Sequence, residues 1–362
     1  MRDDAMTERI GTVEGFFGLE REWEDLADGF ALPTLRHAFN AAALAAHGGR
    51  ARLAILVARR HGAVVGIAPL REAGTALAPR LELIGHELHE PAGFLFRDRA
   101  ALGALVTAAV GLGRPMRLAR LAADGPELAL FSELSSRYGF TVRSDGGATL
   151  GVPLGGGPEA ILRGMTAERR AKMRRCLSRL QKAADVRFEA LAPSAREVPD
   201  LLAEFLRLEA AGWKGRAGSA ILHDRWKEAF FRDYATRTAA EGTLRLYGLR
   251  ADGALIAARF AVRGANRLHE FKIAYDEAWG RFAPGLLLTQ ETLCLAAAEG
   301  LERHEFLGRA ADWERNWSHE SREFTTLRFY PFAIESLGTL TGELADLLRP
   351  RTARPNLILP LG

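Results

Sequence analysis

The chain of 362 residues has two cysteines, Cys176 and Cys294, which is too few for a disulfide framework or a thiolate metal cluster. Cys294 falls within an apolar helical stretch and reads as a core thiol, and so sparse a thiol content fits a reducing compartment. Long apolar runs are also missing: none reaches the ~18–20 residues that a membrane helix needs. The longest candidate, residues 100–112, is rich in small side chains and reads as a buried helix. The first residues, MRDDAMTER, are charged and lack the apolar centre of a secretion signal, so the expected location is the cytoplasm. There is no G-x-S-x-G elbow, no Walker loop, no G-x-G-x-x-G fingerprint and no H-E-x-x-H pair. Serine-triad hydrolysis, nucleotide hydrolysis, dinucleotide binding and zinc proteolysis therefore lack their usual signatures, and no metal is expected. Charge of one sign is not in excess either. With 49 basic and 45 acidic residues the net charge is +4, too mild to indicate nucleic acid by itself.

What is present suffices for real cores. Hydrophobic residues make up 48% of the chain, which argues against disorder, and the length is comfortable for two domains. A weak internal repeat divides it. LAILVARRHGAVVGIA (53–68) reads as a hairpin with a His-Gly turn, and LRLYGLRADGALIAAR (244–259) reads as the same hairpin with an Asp-Gly turn. Aligned, Arg59 meets Arg250 and Gly62 meets Gly253. A helical region precedes each hairpin, at 35–46 and 225–241, and a further strand and a helix follow it. The triple glycine at 155–157 marks a natural break. The pattern predicts an N-terminal half over 1–154, a C-terminal half over 155–348 and an extended tail over 349–362, where Pro350, Pro355 and Pro360 recur.

The most informative stretch lies in the second half. RLHEFKIAY (267–275) predicts a strand, DEAWGRFAPG (276–285) a turn, residues 286–299 an apolar helix, and HEFLG (304–308) a second strand. Pro284 suits a first helical position because it needs no hydrogen-bond partner for a backbone donor. Gly285 leaves its backbone approachable, and Arg281 adds positive charge beside the unpaired N–H groups of the first turn. Such a helix start can hold a phosphate. Alternation along 267–275 would place His269, Phe271, Ile273 and Tyr275 on one face, and Leu268, Glu270, Lys272 and Ala274 on the other. The first half offers no comparable turn. Its third strand, LELIG (81–85), runs into HELHEP (86–91), whose carboxylates would repel a pyrophosphate. His86, Glu87, His89 and Glu90 read as a surface loop, a metal cluster being the sharper alternative. After the triple glycine, residues 163–182 carry eight Lys or Arg residues against Glu168. Leu162, Met165, Met173, Leu177, Leu180 and Ala184 share one face, which predicts a single amphipathic basic helix. It is either a solvated face or a surface for an anionic partner. The segment has no aromatic residues for stacking on bases.

KIAYDE (272–277), FAPG (282–285), FLG (306–308), Trp313 and the upstream EAAGWKG (209–215) with Gly218 together resemble the GNAT-like acyltransferase domain of the cellulose-biosynthesis CelD type. That domain is related to the FemAB peptidyltransferases. The resemblance covers residues 163–330, with its motifs in the family's order. It implies an α/β fold of tandem GNAT-like halves, each a mixed, mostly antiparallel sheet flanked by helices, with one acyl-carrier site in the C-terminal half. It implies an acyltransferase that moves an acyl group from acyl-CoA, acetyl-CoA above all, to an amine or hydroxyl acceptor in polysaccharide or cell-envelope synthesis. The helix start assigns Arg281, Phe282, Ala283, Pro284, Gly285, Leu286 and Leu287 to the cofactor; Trp213 and Lys214 by the resemblance, and Arg309 and Trp313 by their place after the carboxyl end of the second strand, are assigned to the acceptor. Glu270, Lys272, Tyr275 and Asp312 are assigned to catalysis: Glu270 as a base, Lys272 to bind an acidic acceptor or lower a carboxylate's pKa, and Tyr275 as the acid for the leaving thiolate. The turn has fewer glycines than the usual GNAT phosphate loop, so the anion is CoA, another acyl carrier or an aminoacyl-tRNA end. Two rival readings follow: a FemAB-like aminoacyl-tRNA-dependent transferase, and a GNAT-like module that binds a ligand without catalysis. Nucleic acid is the less favoured partner.

Overall fold

The structure is a computed structural model, and it describes residues 5–333 except Leu77 and His319, together with Ser336 and residues 338–340. The expected tail, 349–362, lies outside the described residues. Backbone proximity divides the chain into two compact units: Met1–Gly147 with the chain from Glu323 onward, and Ala148–Arg322.

In chain order the first unit contains β1 (Met6–Ile10), α1 (Val13–Gly18), α2 (Glu20–Ala27), α3 (His37–Ala46), β2 (Arg52–Leu53), β3 (Ile55–Arg60), β4 (Ala63–Ala68), β5 (Leu70–Thr75), β6 (Ala78–Leu83), β7 (Leu95–Phe96), α4 (Arg99–Gly111), β8 (Met116–Ala122) and α5 (Pro126–Tyr138). The strand β9 (Gly139–Pro153) follows, and its residues 148–153 count with the second unit. The second unit continues with α6 (Gly157–Gly164), α7 (Ala167–Ala183), β10 (Val186–Leu191), α8 (Val198–Ala211), α9 (Trp213–Arg216), α10 (Arg225–Ala240), β11 (Leu244–Ala251), β12 (Ala254–Gly264), β13 (Arg267–Tyr275), α11 (Pro284–Ala298) and β14 (Arg303–Phe306). The strand β15 (Ser321–Pro331) pairs antiparallel with β8, Phe324 opposite Ala122. That pairing groups the described residues from 323 onward with the first unit rather than with the half expected over 155–348. It joins positions far apart in sequence, so no local signal announces it.

Within the first unit β1, β3, β4 and β7 form one antiparallel set, while β6 pairs antiparallel with β5 and parallel with β8. In the second unit β10, β11, β12 and β13 run antiparallel in sequence order, and β14 joins β13 in parallel. One face of this sheet packs on α11, α6 and α7 through Leu249, Ile256, Leu268, Leu287, Leu293 and Phe306. The other face meets α8 and α10 through Phe205, Phe231, Tyr234, Phe260 and Phe271.

The repeated hairpins agree down to their side chains. Their turns are His61-Gly62, with φ of 51° and 83°, and Asp252-Gly253, with φ of 50° and 83°. Two positive φ values in succession give the tight turn whose twist matches a hairpin, and the second falls on glycine each time. Both hairpins slip register just before the arginine, at Ala58/Arg59 and at Leu249/Arg250. Arg59 then donates to the Gly62 carbonyl (3.1 Å), to Glu22 on α2 (2.6 Å) and to Glu8 on β1 (2.6 Å). Arg250 donates to the Gly253 carbonyl (3.1 Å), to Glu204 on α8 (2.7 Å) and to Glu189 on β10 (2.8 Å). Hydrogen bonds to these carboxylates hold both guanidinium groups above their ordinary pKa.

The basic segment is two helices, not one. Met165 is extended, and the Thr166 hydroxyl accepts a bond from the Arg169 N–H (3.2 Å), restarting the chain as α7. Arg170 turns back onto the Leu162 carbonyl at the end of α6 (3.2 Å). The expected apolar face is buried at Met165, Met173 and Leu180 and half-buried at Leu162, Leu177 and Ala184. Lys172, Arg174, Arg175, Arg179 and Lys182 are exposed.

Candidate active site around the start of α11

The ladder between β13 and β14 is short. It runs from Arg267 opposite Arg303 to Glu270 opposite Phe306, and a bond from the Leu307 N–H to the Glu270 carbonyl (2.9 Å) closes it. Beyond that point residues 272–275 remain paired with β12 but have left β14. A one-residue bulge at Phe271 coincides with the parting: Phe260 faces Lys272 and Ala261 faces Glu270. The bulge overturns the simple alternation expected for this strand. Glu270 and Tyr275 lie on the α11 side, whereas Phe271 packs on Tyr234 (5.3 Å between rings) and Lys272 reaches the Phe231 ring (5.7 Å) on the α10 side. Glu270 and Lys272 are therefore not neighbours on one face.

The turn after β13 is a 3-10 segment, Glu277–Phe282, capped by the Asp276 carboxylate on the Ala278 N–H (2.9 Å). Ala283 then takes a left-handed conformation (φ 53°) and starts α11 with no side-chain hydrogen bond at the cap. The Leu287 N–H bonds to the Ala283 carbonyl (3.1 Å), so Leu287 offers no donor. Pro284 has none, and Gly285 and Leu286 keep theirs, with no partner among the described residues. A Cβ on Gly285 would lie 3.5 Å from the Tyr275 ring, so that ring covers the glycine. Arg281 is exposed beside this end, its guanidinium 4.7 Å from the Phe282 ring. The basic helix α7 packs against the Glu277–Phe282 turn and against α11. The first unit's α4 begins differently. Asp98 accepts from the Ala101 N–H (2.8 Å) and pairs with Arg60 (2.8 Å), which holds its carboxyl down at about 2. A carboxylate already fills the place where an anion would bind.

The upstream motif is a strut. Glu209 is buried, accepting from Lys214 Nζ (3.1 Å) and from the Ile221 N–H (2.8 Å), while Lys214 Nζ also donates to the Ile273 carbonyl (2.7 Å). Burial lowers the Lys214 pKa, opposed by Glu209 and aided by Lys272. Lys214 thus anchors β13 where it has left β14, and its charge is used internally rather than turned outward to an acceptor. Trp213 is 38% exposed, and its backbone N–H donates to Glu277 (2.9 Å). Arg309 is exposed, and the Asp312 side chain is 97% exposed with Arg315 3.9 Å away. Trp313 is half-buried and meets the Phe306 ring at 5.4 Å.

Behind the turn lies a buried polar group that sequence reasoning missed. Arg259 on β12 pairs with Glu270, bonds the Thr289 hydroxyl and reaches the Gly285 carbonyl (3.3 Å). His304 Nε2 lies 3.3 Å from Glu270, and burial, then Arg259 and His269, keep this histidine neutral. The Arg259 guanidinium also sits 5.8 Å from the Trp313 ring. Glu270 is therefore engaged in a buried ion pair, which argues against its expected role as a base. The adjoining Glu314 is buried as well, and burial pushes its carboxyl up to about 7, against the pull of the Ala311 N–H and Arg259. In sequence Arg259 looks like one more alternating strand residue, and its depth becomes legible only when α11 is laid across β12.

Residues 167–315 match the family model for an acetyltransferase (GNAT) domain. No curated protein matches the chain in sequence. Solved structures with a similar fold include FemX, 12% identical over 94% of this chain and 99% of that one, with a TM-score of 0.62. L-PGS from Bacillus licheniformis is 12% identical over 93% and 99%, with a TM-score of 0.55. A conserved protein of unknown function from Bacteroides thetaiotaomicron is 10% identical over 90% and 100%, also at 0.55. At these identities the likeness is one of fold. The expected α/β fold of tandem GNAT-like halves is thus observed, and the residues that match the acetyltransferase (GNAT) domain model lie in the second unit.

Proposed function

We propose, from the match of residues 167–315 to the GNAT acetyltransferase model, that the protein moves an acyl group from acyl-CoA to an amine or hydroxyl acceptor. The observation that carries this reading is the open start of α11. Among the described residues the Gly285 and Leu286 N–H groups lack partners and no side chain hydrogen-bonds to them as a cap, and β13 has parted from β14 beside them. Two convergent amides at a helix N-terminus favour a pyrophosphate, and Arg281 adds charge at its edge. Lys172 and Arg175 on the adjoining α7 are suited to the remaining phosphate of a CoA. The pantetheine arm would run along 271–275, setting the thioester where the two strands separate. There Tyr275 can protonate the leaving thiolate, and Trp213, Arg309 and Trp313 can border the acceptor. Arg259 and Glu270 fix the first turn of α11 through Gly285 and Thr289. Holding donor and acceptor in register is itself a large part of such catalysis. The CelD resemblance favours an acceptor among polysaccharide or envelope precursors.

Acetyl-CoA should raise the melting temperature. Ligand at a hundredfold excess over its Kd stabilises by about 2.7 kcal/mol, and Arg281→Glu should abolish the rise. An undiminished rise in that variant would remove the anion site from this turn.

The exposed cations of α7 favour a second reading, in which the donor is an aminoacyl-tRNA. It predicts binding of tRNA that weakens steeply with salt, and no retardation by tRNA at low salt would end it.

A further inference from the structure

We propose that Glu314 takes the proton from the attacking amine or hydroxyl. This assignment rests on the acyl-transfer reading above and adds a residue to it. Glu314 opens the short turn Glu314–Asn316, on the segment that follows β14. That segment lies at the carboxyl end of β14, where β13 and β14 part. Its Trp313 packs edge-on against Phe306, the last residue of β14, and against Arg259, which in turn reaches the Gly285 carbonyl in the first turn of α11. Glu314 therefore sits beside the same buried arginine as the proposed cofactor turn.

Its surroundings differ from those of the other buried carboxylates of this unit. Glu270 is spent on Arg259, and Glu209 on Lys214 and the Ile221 N–H. Among the described residues the Glu314 carboxylate accepts one hydrogen bond, from the Ala311 N–H to Oε2 (3.1 Å), and has no ion pair within 4 Å. The charged groups that face it are Arg259 from β12 and Arg315 beside it. Burial outweighs both and leaves a carboxyl that titrates at about 7. A carboxyl raised toward neutrality by burial can accept a proton as the nucleophile attacks. Asp312, in open water, has neither the burial nor a place beside Arg259. In the step itself, nitrogen or oxygen of the acceptor bonds to the thioester carbon, its proton passes to Glu314, and the C–S bond breaks. The thiolate takes a proton from Tyr275, which regains one from solvent, or directly from water, and Glu314 returns its own to solvent.

The test uses the full chain and Glu314→Gln, which keeps an acceptor for the Ala311 N–H but cannot take a proton. Two quantities are followed: the acetyl-CoA-induced rise in melting temperature, and thiol release from acetyl-CoA with water as acceptor between about pH 5 and 9. Expected is an unchanged thermal rise, a rate at least about 100-fold lower at high pH, and loss of the increase in rate through neutral pH. A variant that keeps its rate within about threefold, or keeps the same pH limb, overturns the assignment. Loss of the thermal rise in the variant alone makes Glu314 a structural cap and also overturns it. A wild-type chain with neither thermal rise nor turnover fails earlier, at the acyl-CoA reading. As a check independent of turnover, infrared titration of the wild type should show a carboxylic-acid band that disappears near neutral pH and is missing from Glu314→Gln; its absence from the wild type contradicts the proposal.

Discussion

Asp98 and Ala283 each stand at the cap of a helix start and leave those two ends in opposite states. Asp98 closes α4 with its own carboxylate, and Ala283 leaves α11 open. Replacing Asp98 by Ala should cost about 1 kcal/mol at pH 7, the usual worth of a helix cap. The sign of its pH dependence follows from a folded pKa of about 2, below the unfolded value near 4. The contribution is present above about pH 4 and fades as pH falls toward 2. Urea unfolding at both ends of that range should show a gap between wild type and variant at neutral pH that closes in acid; an equal gap at both contradicts the cap. Glu314 works in the other direction. Its folded pKa is raised to about 7, so its contribution is greatest below about pH 4 and is lost as pH rises through 7. Glu314→Gln should flatten the decline in stability between about pH 5 and 8, and parallel declines would contradict the burial argument. At Arg259, Met should cost about 3–5 kcal/mol because Glu270 is left buried and unpaired, and adding Glu270→Leu should recover much of that loss. Additive costs in the double variant would show that the pair is not coupled.

At the scale of elements, much was legible in advance because the signals were local. Strand β13 runs from Arg267 to Tyr275 as the sequence predicts, and α11 starts at Pro284 because a ring-locked φ suits a first helical turn. The two hairpins declared themselves through His-Gly and Asp-Gly. What escaped was set by a single residue or by distant packing. A bulge at Phe271 reversed the facing of Lys272, and Thr166 cut the basic segment in two. Lys214 and Arg309 were both assigned to the acceptor, yet one is buried as a strut and the other is exposed. The strut also explains a glycine. A Cβ on Gly215 would lie 1.8 Å from the Ala210 carbonyl oxygen, so Gly215→Ala should destabilise by about 1–3 kcal/mol or more and weaken any response to acetyl-CoA. Unaltered melting in that variant would mean that α9 can move without disturbing β13.

For the whole molecule, duplication is written in matched hydrogen bonds: Arg59 with Gly62, Glu22 and Glu8, and Arg250 with Gly253, Glu204 and Glu189. The repeat was visible at Arg59 and Arg250. Their acidic partners were not, because each lies on an element separated in sequence from its hairpin. Nor was the grouping of β15 with β8, which rests on a pairing across most of the chain. One unit keeps a helix start open and the other fills it, and the account stands on that difference. Its most direct test is amide NMR on protein labelled with 15N at glycine and leucine, titrated with coenzyme A. The signals of Gly285 and Leu286 should move most and saturate together. Saturable binding that leaves those two amides unmoved would contradict the account.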